Sequence, residues 1–241
     1  GADGMDKERL WTWPFVQLSL GAMVLFIGFY LLLPTMPLFV KELGGSESQV
    51  GLAAGLFTLT AVVFRPFVGG LVDRYGRRPF LIGGMLVFTL SMWLYDWVGG
   101  VLALLALRML HGTGWAFSTT AVSTVAADLI PVSRRGEGMG WFGLAMTIAM
   151  AVGPMAGVWI LENGSFPRLF LFATVLSAAA LILMATTKQP GGRPTERRPF
   201  VIFDKSVLPV TTSLFFLAAA YGGITTYLPL FAESIRVNSG T

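Results

Sequence analysis

The sequence predicts an all-α protein, a polytopic bundle of membrane-spanning helices. Three observations carry this expectation. Only 12% of the 241 residues are charged while 54% are hydrophobic. An ordinary soluble domain is about a quarter charged, so this chain has too little charge to coat a water-facing surface. The apolar residues gather into stretches that match the ~20 residues a helix needs to cross a bilayer. Lysine and arginine, finally, concentrate in alternate connections between those stretches, the bias that orients membrane proteins.

The elements follow in order. Trp11 to Val40 carries no charge. It is too long for a signal-peptide core, and no small-residue cleavage site follows, so the first span is placed at 15–40. The second is 48–72, interrupted by Arg65, and the third is 79–97. The fourth is 100–129, interrupted by Arg108. The fifth is 138–161 and the sixth 167–187. The segment KQPGGRPTERRPFVIFDK, polar, basic and rich in proline and glycine, reads as a loop at 188–205. A seventh span is expected at 206–232.

One set of alternate loops holds Lys7, Arg9, Arg74, Arg77, Arg78, Arg134, Arg135, Lys188, Arg193, Arg197, Arg198 and Lys205. The opposite set holds Lys41, Arg168 and Arg236. This places the N-terminus and the 2–3, 4–5 and 6–7 loops in the cytoplasm, with the chain in the inner (plasma) membrane and the lipid bilayer as its solvent. The net charge of +4 is then a topological bias. It argues against a nucleic-acid partner, which would need the charges on one folded face.

Other chemistries lack their residues. The chain has no cysteine and one histidine, His111, which rules out disulfides and thiol catalysis and argues against a metal site. No phosphate-cradling glycine loop of the P-loop type is present, and the serines lack a histidine and acid at usable spacing. Neither an enzyme nor a cofactor is expected.

The ends of spans 1 and 7 are alike, YLLLPTMPLFVKELGGS against GGITTYLPLFAESIRVN. Setting Pro37-Leu38-Phe39 on Pro229-Leu230-Phe231 aligns Phe29 with Tyr221 and Met36 with Leu228. The match falls after six spans and the longest loop, the pattern of parallel repeats. The organisation expected is a six-helix bundle at 1–187, a cytoplasmic linker at 188–205, and the first helix of a second bundle at 206–241. The remainder of that second six-helix half is a missing partner.

The stretch GGLVDRYGRRPFLIGG joins spans 2 and 3 and contains Gly69, Asp73, Arg74, Gly76, Arg77 and Arg78. It resembles G-x-x-x-D-R-x-G-R-R, the signature loop of the major facilitator superfamily. Gly76 allows a sharp turn, and Asp73 can meet a guanidinium or a helix N-terminus. The resemblance implies a cytoplasmic latch between two halves, with Arg65 in the same gate network. A plain positive-inside anchor, with Arg65 snorkelling inward, is the alternative.

In span 4, LALLALRMLHGTGWAF resembles the family's R-x-x-Q-G-x-G through Arg108 and Gly112, with His111 where glutamine is usual. A mid-membrane arginine costs about 2.5–3.5 kcal/mol on insertion scales, so it needs a wet cavity or a partner. Arg108, His111, Trp115 and Thr119 share one helical stripe, read as cavity lining. The alternative is a structural arginine bonded to backbone carbonyls.

In span 5, AMAVGPMAGVW resembles G-x-x-x-G-P-x-x-G-G, a motif of proton-coupled antiporters that export drugs. Gly153, Pro154 and Gly157 match, while Ala149 and Val158 replace glycines. Ala145, Ala149, Gly153 and Gly157 form a small-residue ridge, which by itself means only close helix packing. WTWPFVQL and VVFRPFVGG resemble a branch of bacterial exporters that includes metallophore exporters.

The resemblance implies an incomplete major facilitator fold of about seven spans and a secondary transporter. It would export small amphipathic, drug-like or metallophore-like molecules by proton antiport, with the proton gradient as energy source. Uptake or facilitated diffusion of a metabolite, or a non-transporting membrane module, are the alternatives. Candidate solute contacts are Tyr30, His111, Trp115, Thr119, Tyr221 and Tyr227. Trp11, Trp13, Trp93 and Trp97 read as an interfacial belt. Spans 1 and 7 lack an interior carboxylate, so the proton carrier is either His111 or a carboxylate in the second half.

Overall fold

The computed structural model describes residues 9–189. The 188–205 linker (apart from its first two residues), the seventh span and the candidates Tyr221 and Tyr227 lie outside the described residues.

Helix α1, Trp13–Leu32, starts at Thr12, whose Oγ1 accepts from the Phe15 N–H at 3.4 Å. Pro14 occupies its first turn, where a missing N–H costs nothing. The first span was expected to run unbroken through 15–40. Instead the chain turns at 33–35 and restarts as α2, Met36–Glu42. Pro34 falls in the turn and Pro37 in the first turn of α2. Two prolines three residues apart cannot both be tolerated in a helix interior. Thr35 Oγ1 donates to the Leu31 carbonyl at 3.1 Å, satisfying one acceptor at the break.

Helix α3, Glu47–Tyr75, opens with a reciprocal cap. Ser46 Oγ accepts from the Gln49 N–H, and Gln49 Oε1 accepts from the Ser46 N–H. α4 spans Arg78–Leu94 and runs into a 3₁₀ turn at Tyr95–Trp97. α5 is Val101–Leu129. A second 3₁₀ turn, Val132–Arg134, leads into α6, Arg135–Asn163. α7, Phe166–Ala185, is capped by Ser165 Oγ accepting from the Arg168 N–H at 3.4 Å. Six of these helices are long and apolar enough to cross a membrane, and no strand occurs among the described residues. The 29-residue helices α3, α5 and α6 are about 44 Å long and exceed the ~30 Å hydrocarbon layer.

Neighbours define an arc: α3 packs on α5, α5 on α4, α4 on α7, α7 on α1 and α1 on α6. α3 and α6 lie at its two ends, and α5 also touches α1. The core runs through the middle, with Leu18, Leu25, Met85, Phe88, Tyr95 and Phe170 fully buried. A polar tie joins α1 to α7, Gln17 Nε2 donating to the Leu183 carbonyl at 2.9 Å and to Thr186 Oγ1 at 2.6 Å. The outside is apolar, the reverse of a soluble protein. On α6, Trp141, Leu144, Ile148, Met155 and Trp159 are all exposed.

A candidate transport site between a charged turn and a buried arginine

The turn that joins α3 to α4 hinges on Gly76. Its φ is +93°, a conformation that suits glycine, and its N–H closes α3 on the Val72 carbonyl at 3.0 Å. The two following arginines fasten the turn to other helices. Arg77 Nε donates to Asp128 Oδ2 near the end of α5 at 2.8 Å. Arg78 Nη2 donates to the Ala185 carbonyl at 2.5 Å, and Nη1 to the Thr187 carbonyl at 3.5 Å. A cation thus sits on the terminal carbonyls of α7, at the negative end of the helix dipole. Asp73 is exposed and takes part in no ion pair among the described residues. Arg74 lies over the Tyr75 ring, 5.2 Å from its centroid. A Cβ at Gly69 would meet no described residue within 4 Å.

Arg65, expected in the gate network of the turn, reaches the span-4 stripe. Its Nη1 donates to Thr119 Oγ1 at 3.0 Å. Two groups assigned to separate places by sequence thereby become one polar contact between α3 and α5.

The stripe itself is buried within the bundle: Arg108, His111, Trp115 and Thr119 are all under 9% exposed. Arg108 Nε donates to the Ala53 carbonyl of α3 at 3.0 Å. Its Nη1 donates to Tyr95 Oη at 3.3 Å, and its guanidinium lies 4.5 Å from the Phe57 ring centroid. Tyr95 Oη lies 2.9 Å from His111 Nδ1. The His111 ring packs among Phe57, Phe88 and Tyr95, with centroids 4.9, 4.6 and 5.5 Å away. One turn on, Trp115 stacks on Phe29 at 4.3 Å and meets Phe26 edge-on at 4.9 Å. Tyr30 touches both of those phenylalanines. The cost of a mid-membrane arginine is thus met by a carbonyl, a phenol and an aromatic face.

Close approach makes this contact set possible. A Cβ at Gly112 would lie 2.5 Å from the Phe57 carbonyl oxygen, and one at Gly114 2.9 Å from the Phe88 nitrogen. Sequence reasoning missed Tyr95. It lies at the end of span 3 beside Trp93 and Trp97, where an aromatic reads as part of an interfacial belt. Those two tryptophans are exposed as expected, while Tyr95 is fully buried.

The span-5 motif faces α1. A Cβ at Gly153 would lie 2.5 Å from Tyr30 Cβ, and one at Gly157 would collide with the Leu31 backbone. Pro154 lies inside α6, and Ala149 is fully buried. Farther along the same seam, Trp11, Phe15, Met23, Trp141, Leu144 and Ile148 border an apolar groove of about 210 Å³. No group of three or more His, Asp or Glu side chains able to hold a metal occurs among the described residues.

Six membrane-length helices, joined by a glycine-hinged basic turn and holding an arginine in the core, define a multi-pass membrane protein. The chain belongs to the Major Facilitator Superfamily, whose family model matches residues 18–240. Members of that family are transporters rather than enzymes. The chain is 33% identical over 166 residues to Multidrug resistance protein 2 of Bacillus subtilis (strain 168), covering 68% of this chain and 42% of that protein. It is 25% identical over 242 residues to the Staphylopine export protein of Staphylococcus aureus (strain Mu50), covering 93% and 59%. The crystal structure of the human organic anion transporter MFSD10 superposes with a TM-score of 0.60 at 22% identity, covering 72% of this chain and 46% of that one. The chain spans about half the length of the relatives it matches.

Proposed function

We propose that the full-length protein exports small amphipathic molecules, drug-like or metallophore-like, in exchange for protons. Its N-terminus and arginine-rich turns face the cytoplasm across the inner (plasma) membrane. Residues 1–187 act as one rocking bundle, 188–205 link it to a second, and 206–241 begin that second bundle, whose remainder completes the central site. The relatives named for multidrug resistance and staphylopine export support the direction and the solute class.

The observation that carries the reading is the division of labour in the basic turn. Arg77 and Arg78 are bound within this bundle, while the carboxylate of Asp73, beside them, has no ion-pair partner there. An unpartnered carboxylate on a fastened turn is what a releasable contact with a second bundle requires. The test is solute transport by the full-length protein in liposomes, with and without an imposed pH gradient. Proton-dependent efflux is expected, with Asp73→Asn slowing turnover more than it weakens solute binding. Transport indifferent to the gradient would replace antiport with facilitated diffusion. Lost binding with an intact conformational cycle in Asp73→Asn would end the latch role.

A further inference from the structure

The hydrogen bonds around His111 favour one pattern of protons. Arginine donates and never accepts, so Tyr95 Oη is the acceptor of the Arg108 Nη1 bond at 3.3 Å. The phenol has one hydrogen of its own, and His111 Nδ1 lies 2.9 Å away. If the phenol donates there, Nδ1 is bare, and the imidazole hydrogen of a neutral ring is on Nε2. An imidazolium, or a neutral ring with its hydrogen on Nδ1, would reverse this bond. Arg108 and Nδ1 would then both donate to one phenol oxygen, and the phenol hydrogen would be stranded in the core.

The surroundings agree. Arg108 is the charged group in this chain of contacts, and a second cation beside it would be repelled. α3 and α4 present the Phe57 and Phe88 rings to the imidazole. α7 presents Phe170, stacked on Tyr95 at 5.5 Å. No carboxylate among the described residues shares these contacts. Among the described residues, His111 Nε2 is buried with no hydrogen-bond partner.

We infer that His111 is a neutral, tautomer-locked acceptor which, through Tyr95, positions the Arg108 guanidinium. It is therefore not the proton carrier. Within the transport reading this assigns Tyr95 and His111 as positioning residues and leaves proton binding to another group. Tyr95 sets the angle of one guanidinium edge and the Ala53 carbonyl sets the other. Arg108 Nη2 donates to no described residue.

The test uses the full-length protein in lipid, labelled with ¹⁵N-histidine. The signals of His111 are those absent from His111→Gln. From about pH 5 to pH 8, the window in which an ordinary histidine titrates, Nε2 should remain hydrogen-bearing and Nδ1 bare. Tyr95→Phe should shift the Nδ1 signal. An imidazolium forming in that window, or a hydrogen on Nδ1, would overturn the assignment. This readout needs no transport, so it stands or falls apart from the proposed function. In the transport assay, the readout for His111→Gln is coupling rather than rate: efflux should still respond to the imposed pH gradient, because an amide oxygen can replace Nδ1 as acceptor. Tyr95→Phe should lower kcat about tenfold through the lost bond with KM little changed. Efflux uncoupled from protons in His111→Gln, with solute binding intact, would restore His111 as carrier.

Discussion

Arg77 Nε lies 2.8 Å from Asp128 Oδ2, which ties the turn between α3 and α4 to the last residues of α5. The partners are 51 positions apart and both are partly exposed, at 28% and 36%. Exposed pairs of this kind are worth about 0.2–1 kcal/mol. Asp128→Asn should therefore lower the thermal stability of the purified protein only slightly. Its main effect is expected on turnover, because the turn would lose its fixed position. A large fall in Tm with unchanged turnover would mean that the pair serves the fold alone.

Gly157 faces the Leu31 backbone with no room for a Cβ. Gly157→Val should push α6 off α1 and destabilise the protein by about 1–3 kcal/mol, the usual cost of overpacking. Melting in detergent would measure it. Gly143, where an added Cβ meets nothing within 4 Å, is the control, and Gly143→Ala should leave Tm unchanged. Equal melting of the wild type and Gly157→Val would show that the seam between α1 and α6 is looser than its geometry.

Arg108 is buried, and two different nitrogens of its guanidinium are engaged. Arg108→Lys keeps the charge but cannot reproduce a planar two-direction grip. Both Arg108→Lys and Arg108→Ala should lose at least about tenfold in transport rate, with the lysine variant no better than twofold above the alanine. Full activity in Arg108→Lys would reduce the residue to a point charge.

The spans were legible because bilayer thickness leaves a long, simple imprint on hydropathy. The charged turn was legible because glycine, acid and base recur there at a recognisable spacing. The break at 33–35 was not, since Pro34 and Pro37 sit inside a charge-free run that hydropathy alone reads as continuous. Tyr95 and Arg65 were hidden for another reason. Each finds its partner across helices, Tyr95 with His111 and Arg65 with Thr119, 54 positions away. Periodicity along one helix reports which face a residue occupies, but not which neighbour stands opposite. The same limit split Arg65 from the stripe it joins and hid Ala53, whose contribution is a backbone carbonyl.

The grip of Arg78 on Ala185 and Thr187 has a mechanical consequence. The polypeptide leaves α7 within one side chain's length of the basic turn, so exit point and hinge are fastened together. A pull on the chain beyond Thr187 is shared between the start of α4, through Arg78, and α1, through Gln17.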